Sequence, residues 1–219
     1  MNYTTSNFSK TLKTALFTIG ASVLVASQSI SAQTLDSSKY KDTREPIAVT
    51  TGDKIEVTEL FWFGCGHCFA LEPALNKWKK NAIPANAEFK KVPALFSKRW
   101  EFHGQAFYTM QSLGVPEAAY GKFFKAIHEK RNPMNTMGRL VTFLSDYDFT
   151  EKQVESAFNS FDVNNKMRAA KKITLQSGAT GVPAIIVDGK YLTSQQLSGG
   201  TPELFEVVNQ LVGKAAEDR

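Results

Sequence analysis

Two hydrophobic rhythms run along the chain, and one gives way to the other at a short cysteine-containing segment. Residues 55–63, Ile-Glu-Val-Thr-Glu-Leu-Phe-Trp-Phe, are rich in β-branched and aromatic side chains and lie between Thr51-Gly52-Asp53 and Gly64, which predicts a buried strand. Beyond Gly64 the apolar positions become Phe69, Leu71, Leu75 and Trp78, set among Lys77, Lys79 and Lys80, so a helix starts at or near Cys65. A second strand is predicted over residues 88–92, with Phe89 and Val92 as its apolar members before Pro93.

Residues 97–177 contain no convincing strand. They offer helical segments punctuated by Gly114, Pro116, Asn132-Pro133 and Asp146-Tyr147-Asp148. Phe123, Phe124 and Ile127 share one helical face, and Val141, Phe143 and Leu144 another. Thr150 followed by Gln153 is a capping box opening the helix of Val154 and Phe158. A longer basic helix over residues 162–177, with Met167, Ala170 and Leu175, ends at Gly178. The strand pattern returns at residues 182–187, and Asp188-Gly189 before Lys190-Tyr191-Leu192 signals a hairpin. A last helix over residues 202–212 carries Leu204, Phe205, Val208 and Leu211. The pattern is that of an α/β chain, residues 33–96 and 178–219, interrupted by an all-helical insertion at residues 97–177.

The first 32 residues read as an export signal. Lys10 and Lys13 precede an apolar stretch at residues 15–25, and small residues follow up to Ala32, after which or shortly before which cleavage is expected. The stretch is too short and too rich in Ser and Thr for a membrane-spanning helix, which needs about 20 predominantly apolar residues. Its removal lowers the net charge from +5 to +3 and leaves dispersed basic residues such as Lys79-Lys80 and Lys171-Lys172, a distribution that gives no reason to expect nucleic acid as a partner.

An exported chain of this size with only two cysteines, Cys65 and Cys68, has placed them where a bridge restrains the unfolded chain least. Chemistry explains the pair better than stability does. A cysteine in the first turn of a helix sits among free backbone N–H groups, which favour its thiolate, so Cys65 is the candidate nucleophile. Cys68, one turn further in, is placed to form or resolve a disulfide with it and is expected to be the more buried. His67 stabilises a neighbouring thiolate by charge or hydrogen bonding, and Gly66 leaves the approach uncrowded. A stabilised thiolate favours the reduced form and therefore makes the disulfide an oxidant. Tetrahedral zinc would need two more ligands, and only His103 and His128 remain, both expected to be surface or packing residues. Glu59, six residues before Cys65 in a hydrophobic strand, reads either as a satisfied polar group or as a proton carrier.

The strand, the Cys65-Gly66-His67-Cys68 helix, the helical insertion and the Gly181-Val182-Pro183 strand together resemble the bacterial periplasmic thiol:disulfide oxidoreductases of the DsbA family, over essentially the whole mature chain. The resemblance implies a thioredoxin-like fold with an inserted all-helical domain. It also implies that Cys65 attacks, Cys68 resolves, and a cis proline in Val182-Pro183 lies against the active site with backbone free to pair with an extended substrate. Glu59 is similar to the family's buried acid and Lys91 to its lysine partner, while Pro73 is similar to the proline that bends the active-site helix in thioredoxins generally.

The function implied is that of a monomeric periplasmic oxidase with no cofactor beyond its own disulfide. Its partners would be unfolded cysteine-containing exported proteins and a quinone-linked inner-membrane reoxidase of the DsbB type. Many relatives have Pro-His between the cysteines, whereas Gly66-His67 is the dipeptide of protein disulfide isomerases, which keeps isomerase or reductase activity in play. Only about 20 residues precede the first strand after Ala32, too few for the separate dimerisation domain of bacterial isomerases. A non-catalytic peptide-binding or chaperone module is the remaining alternative.

Overall fold

Strand β2 (Ile55–Phe61) is buried along its whole length, and its sequence is accordingly a near-continuous apolar run instead of an alternating one. The computed structural model describes residues 35–219; the expected export segment at residues 1–32 lies outside them. Besides β2, the sheet contains β1 (Lys41–Asp42), β3 (Ala87–Pro93), β4 (Ala184–Val187) and β5 (Tyr191–Thr193), in the order β1-β5-β4-β2-β3. β2 pairs in parallel with β3 through the crossover helix α1 (Gly66–Asn81), and its other edge pairs antiparallel with β4.

Five helices stand between β3 and β4: α2 (Lys98–Ser112), α3 (Ala118–His128), α4 (Met137–Ser145), α5 (Glu151–Phe158) and α6 (Phe161–Ser177). This is the all-helical insertion expected from the sequence. The capping box at the start of α5 is present in both directions, with Thr150 N–H donating to Gln153 Oε1 at 2.9 Å and Gln153 N–H to Thr150 Oγ1 at 3.4 Å. After β5 come α7 (Gln195–Ser198) and α8 (Thr201–Glu217). Among the described residues no helix is long and apolar enough to cross a membrane.

The period of two in β4 divides the interior. Ala184 and Ile186 join Leu60, Phe107, Phe123, Phe124 and Leu140 in a core shared with the helical insertion. Ile185 and Val187 join Val57, Leu71, Leu75, Leu204, Val208 and Leu211 in a second core beneath α1 and α8. The β4–β5 hairpin turns through Asp188 and Gly189, both in the left-handed region at φ 52° and 64°. A Cβ on Gly189 would come within 2.0 Å of Ile47 O, so the turn admits only glycine there.

Three boundaries differ from the sequence expectation by two residues or more. β2 stops at Phe61, not Phe63, because the chain turns so that Trp62 O accepts the Cys65 N–H at 2.9 Å. β4 starts at Ala184, not at residue 182, since Pro183 has no N–H to give a ladder. α8 continues past residue 212 to Glu217, and Ala215 extends its buried stripe.

Candidate active site

The turn from Trp62 to Cys65 delivers Cys65 as the N-cap of α1, with extended backbone at φ −89° and ψ 116°. In this conformation its sulfur accepts the Cys68 N–H at 3.1 Å, one of the donors that a helix start leaves unpaired. The Cys65 Sγ also stands 3.4 Å from Val182 O, to which the thiol donates. The Val182-Pro183 bond is cis, and the contact with Val182 O brings together residues far apart in sequence.

The two thiols, both free in this structure, have unequal surroundings. Cys65 is half-buried, whereas Cys68 is fully buried. The Cys65 pKa is pulled down to about 6: the hydrogen bond from the Cys68 thiol contributes most, burial opposes it, and the Cys68 and His67 N–H groups and the His67 charge add to the lowering. Burial pushes the Cys68 thiol up, and donation to Cys65 and the nearby Glu59 carboxylate push it further the same way. Thiolate absorbance in the reduced protein is therefore expected to rise with a single midpoint near pH 6, and the Cys65→Ser variant to lose that step. A first midpoint at an ordinary thiol value would contradict this electrostatic account.

Beside the pair lies a cleft of about 690 Å³ lined by residues that include His67, Gly181, Val182, Pro183 and Leu197. His67 and Gly66 are exposed, and a Cβ on Gly66 would meet nothing within 4 Å. Pro73 lies exposed within α1. His103 and His128 both pack: His103 is buried with Nε2 3.0 Å from Pro133 O, and His128 stacks on Phe69 with Nε2 2.8 Å from Phe63 O.

Register places Glu59 directly opposite Lys91, and Lys91 Nζ lies 3.3 Å from Glu59 Oε2. A residue that sequence reasoning missed completes the cluster: Glu72 of α1 pairs with the same ammonium. Its only sequence signal was a carboxylate one residue after the buried Leu71 on the active-site helix. Neither Glu59 oxygen makes a hydrogen bond of good geometry, and burial pushes its carboxyl up to about 7 against the lowering influence of Lys91. For Lys91 burial alone would favour the neutral amine, but the two carboxylates outweigh it and the pKa is raised. Among the described residues no group of three or more His, Cys, Asp or Glu side chains could hold a metal ion.

Trp62 was also missed as part of the site. Its indole folds back over Gly64, where an added Cβ would come within 2.3 Å of Cζ2, and stacks on Trp100 with ring centroids 4.5 Å apart. Gly64→Ala is expected to displace this stacked ring and lower stability by about 1–3 kcal/mol, read as a fall in Tm. An unchanged Tm would show that the ring moves freely.

Residues 103–211 match the DSBA-like thioredoxin domain. The chain is 36% identical over 176 residues to the thiol:disulfide interchange protein DsbA of Pseudomonas aeruginosa, covering 80% of this chain and 83% of that one. It is 32% identical over 212 residues to the DsbA of Burkholderia cepacia, covering 96% and 98% of the two chains. The crystal structure of Pseudomonas aeruginosa DsbA superimposes with a TM-score of 0.76 at 35% identity, over 83% of this chain and 95% of that one. With a thioredoxin fold, a helical insertion and a cysteine pair at a helix start, this chain belongs to the DsbA family of thiol:disulfide oxidoreductases.

Proposed function

We propose that the protein is a periplasmic dithiol oxidase that donates a Cys65–Cys68 disulfide to newly exported proteins. The observation that carries this reading is the inequality of the two thiols: a half-buried Cys65 pulled down to about 6 beside a fully buried Cys68 pushed up. Stabilising one thiolate stabilises the reduced protein relative to the disulfide, which makes the disulfide an oxidant.

In the reaction a client thiolate attacks Cys65 Sγ, the Cys65–Cys68 bond breaks, and Cys68 leaves as a thiolate that takes up a proton. A second client thiolate attacks the client sulfur of this mixed disulfide and releases Cys65 as a thiolate. The client loses two electrons and the protein gains them. Buried Glu59, held by Lys91, is suited to exchange the Cys68 proton, because its own pKa lies near 7. His67 favours the Cys65 thiolate by charge, and the Val182-Pro183 loop presents backbone to an extended client.

Export by residues 1–32, action as a monomer, and residues 97–177 as a domain inserted between residues 33–96 and 178–219 belong to the same proposal. Reoxidation falls to a quinone-linked inner-membrane partner of the DsbB type. Equilibration with glutathione redox buffers tests the direction: the expected potential lies well above the roughly −270 mV of thioredoxin. A value near thioredoxin's would make the protein a reductase.

A further inference from the structure

Helix α6 leaves one face open to solvent along its whole length. Val163, Ala170, Thr174 and Ser177 form its buried side, with Met167 packed against Gly104 of α2 and Thr174 Oγ1 accepting the Leu95 N–H at 3.1 Å. On the opposite side Phe161, Arg168, Lys172 and Leu175 follow one another at spacings of seven, four and three residues, which makes a single helical stripe, and all four are exposed. Among the described residues the exposed large hydrophobic side chains are Phe96 at 37%, Leu175 at 55% and Phe161 at 79%, so two of the three are the ends of this stripe. Neither Phe161 nor Leu175 packs into the two cores, and the helical rise sets them about 21 Å apart. The only acid on α6, Asp162, is occupied by Lys166 at 2.9 Å, and Lys171 donates to Leu95 O at 2.7 Å. Arg168 and Lys172 meet no carboxylate among the described residues.

We propose that this outer face of α6 docks the protein on an anionic phospholipid surface, with Phe161 and Leu175 entering the headgroup layer and Arg168 and Lys172 meeting lipid phosphates. A helix lying in a membrane interface needs apolar side chains that reach below the headgroups and cations at their level, and the stripe supplies both. Charge names the occupant. Two unpaired cations between two apolar ends fit a sheet of phosphates over hydrocarbon, whereas an apolar protein groove would bury Arg168 and Lys172 without partners. The separation of the two ends agrees with this, since a bilayer is continuous over about 21 Å and a small patch on a partner is not. Leu175 stands seven residues before Val182, so the docked end of α6 lies no more than about 25 Å from the loop beside Cys65. Docking would hold the cysteine pair close to the bilayer that contains a quinone-linked reoxidase, although lipid binding itself does not depend on the oxidase reading.

In the test, protein purified after export is sedimented with vesicles of phosphatidylcholine alone, or of phosphatidylcholine and phosphatidylglycerol in equal parts, at low and at high salt. Binding is expected only to the anionic vesicles and is expected to fall as salt screens the charges. Arg168→Gln and Lys172→Gln should each weaken it about fivefold, the effect of one basic residue near a charged surface. Phe161→Ser should weaken it about tenfold, the effect of a phenylalanine that is no longer buried. All three side chains are exposed and stand outside the cleft beside Pro183, so the variants should keep the rate of client oxidation in solution, which separates lost docking from lost folding. No binding to either vesicle, equal binding to both, or binding that survives all three substitutions would overturn the proposal. Variants that bind vesicles as before but are no longer reoxidised by membrane fragments would overturn it too, and would make the face a protein contact. If anionic vesicles are bound while no client is oxidised, the oxidase reading fails and the docking face stands.

Discussion

Cys65→Ser is expected to bring client oxidation down to the uncatalysed background, while Cys68→Ser is expected to trap client proteins covalently. The two outcomes differ because the two sulfurs have different access. Cys65 is half-buried beside Val182 of the cleft, accepts an N–H from α1, and carries the lowered pKa; Cys68 is fully enclosed. A serine at position 65 offers no sulfur for a client thiolate to attack, and its hydroxyl neither forms a disulfide nor ionises near neutral pH. In Cys68→Ser the Cys65 thiolate still attacks a disulfide-bonded client, forming one sulfur–sulfur bond and expelling the client's other thiolate. The protein then has no second thiol to resolve the product. Non-reducing electrophoresis and intact-mass measurement should show adducts with Cys68→Ser that vanish in the double variant. If Cys65→Ser oxidised clients at the original rate, catalysis would not belong to this pair, and a non-catalytic peptide-binding module would describe the protein better.

Where one element carries a strong local pattern, the sequence disclosed it. Residues 55–61 read as a buried strand because both faces of β2 are covered, and the start of α1 at Gly66 followed from the change of period beside Cys65. Asp188-Gly189 announced the β4–β5 hairpin through residues that accept positive φ. The features that stayed hidden depend on contacts distant in sequence. β1 is two exposed residues held by backbone pairing with Tyr191 and Leu192, and no side-chain rhythm records that. Glu72 looks like an ordinary helix-surface charge until β3 brings Lys91 against it. Trp62 reads as one more strand residue, because its role appears only when the chain turns at Gly64 and α2 lays Trp100 on the indole. The placement of the candidate site at a helix start was therefore legible in four consecutive residues, and its electrostatic support and flanking rings were not.

The same buried support leads to the second large effect, the destabilisation expected from Lys91→Met. The Lys91 side chain is only 8% exposed and answers two carboxylates, Glu59 at 0% and Glu72 at 13%. Methionine keeps the aliphatic packing against Phe61 and Phe124, whose ring centroids lie 4.9 and 5.4 Å from the ammonium, and removes the charge. Breaking a buried pair on one side costs about 3–5 kcal/mol, because the partner is left uncompensated. The cost should depend on pH, in a direction fixed by Glu59. Its folded-state pKa, pushed up to about 7, exceeds the ordinary value of 4.5, so its contribution is most favourable below 4.5 and is lost as pH rises through 7. Lys91 lowers that pKa; without it the folded carboxyl holds its proton to still higher pH, and the decline extends further upward. Urea unfolding at about pH 5 and about pH 8 should therefore show the larger loss at the higher pH, where the unfolded state has long since ionised. Adding Glu59→Gln should remove most of the pH-dependent part and leave the loss of the Glu72 partner. An equal loss at both pH values would locate the effect in packing against Phe61 and Phe124 and would deprive Glu59 of the electrostatic role that its burial otherwise demands.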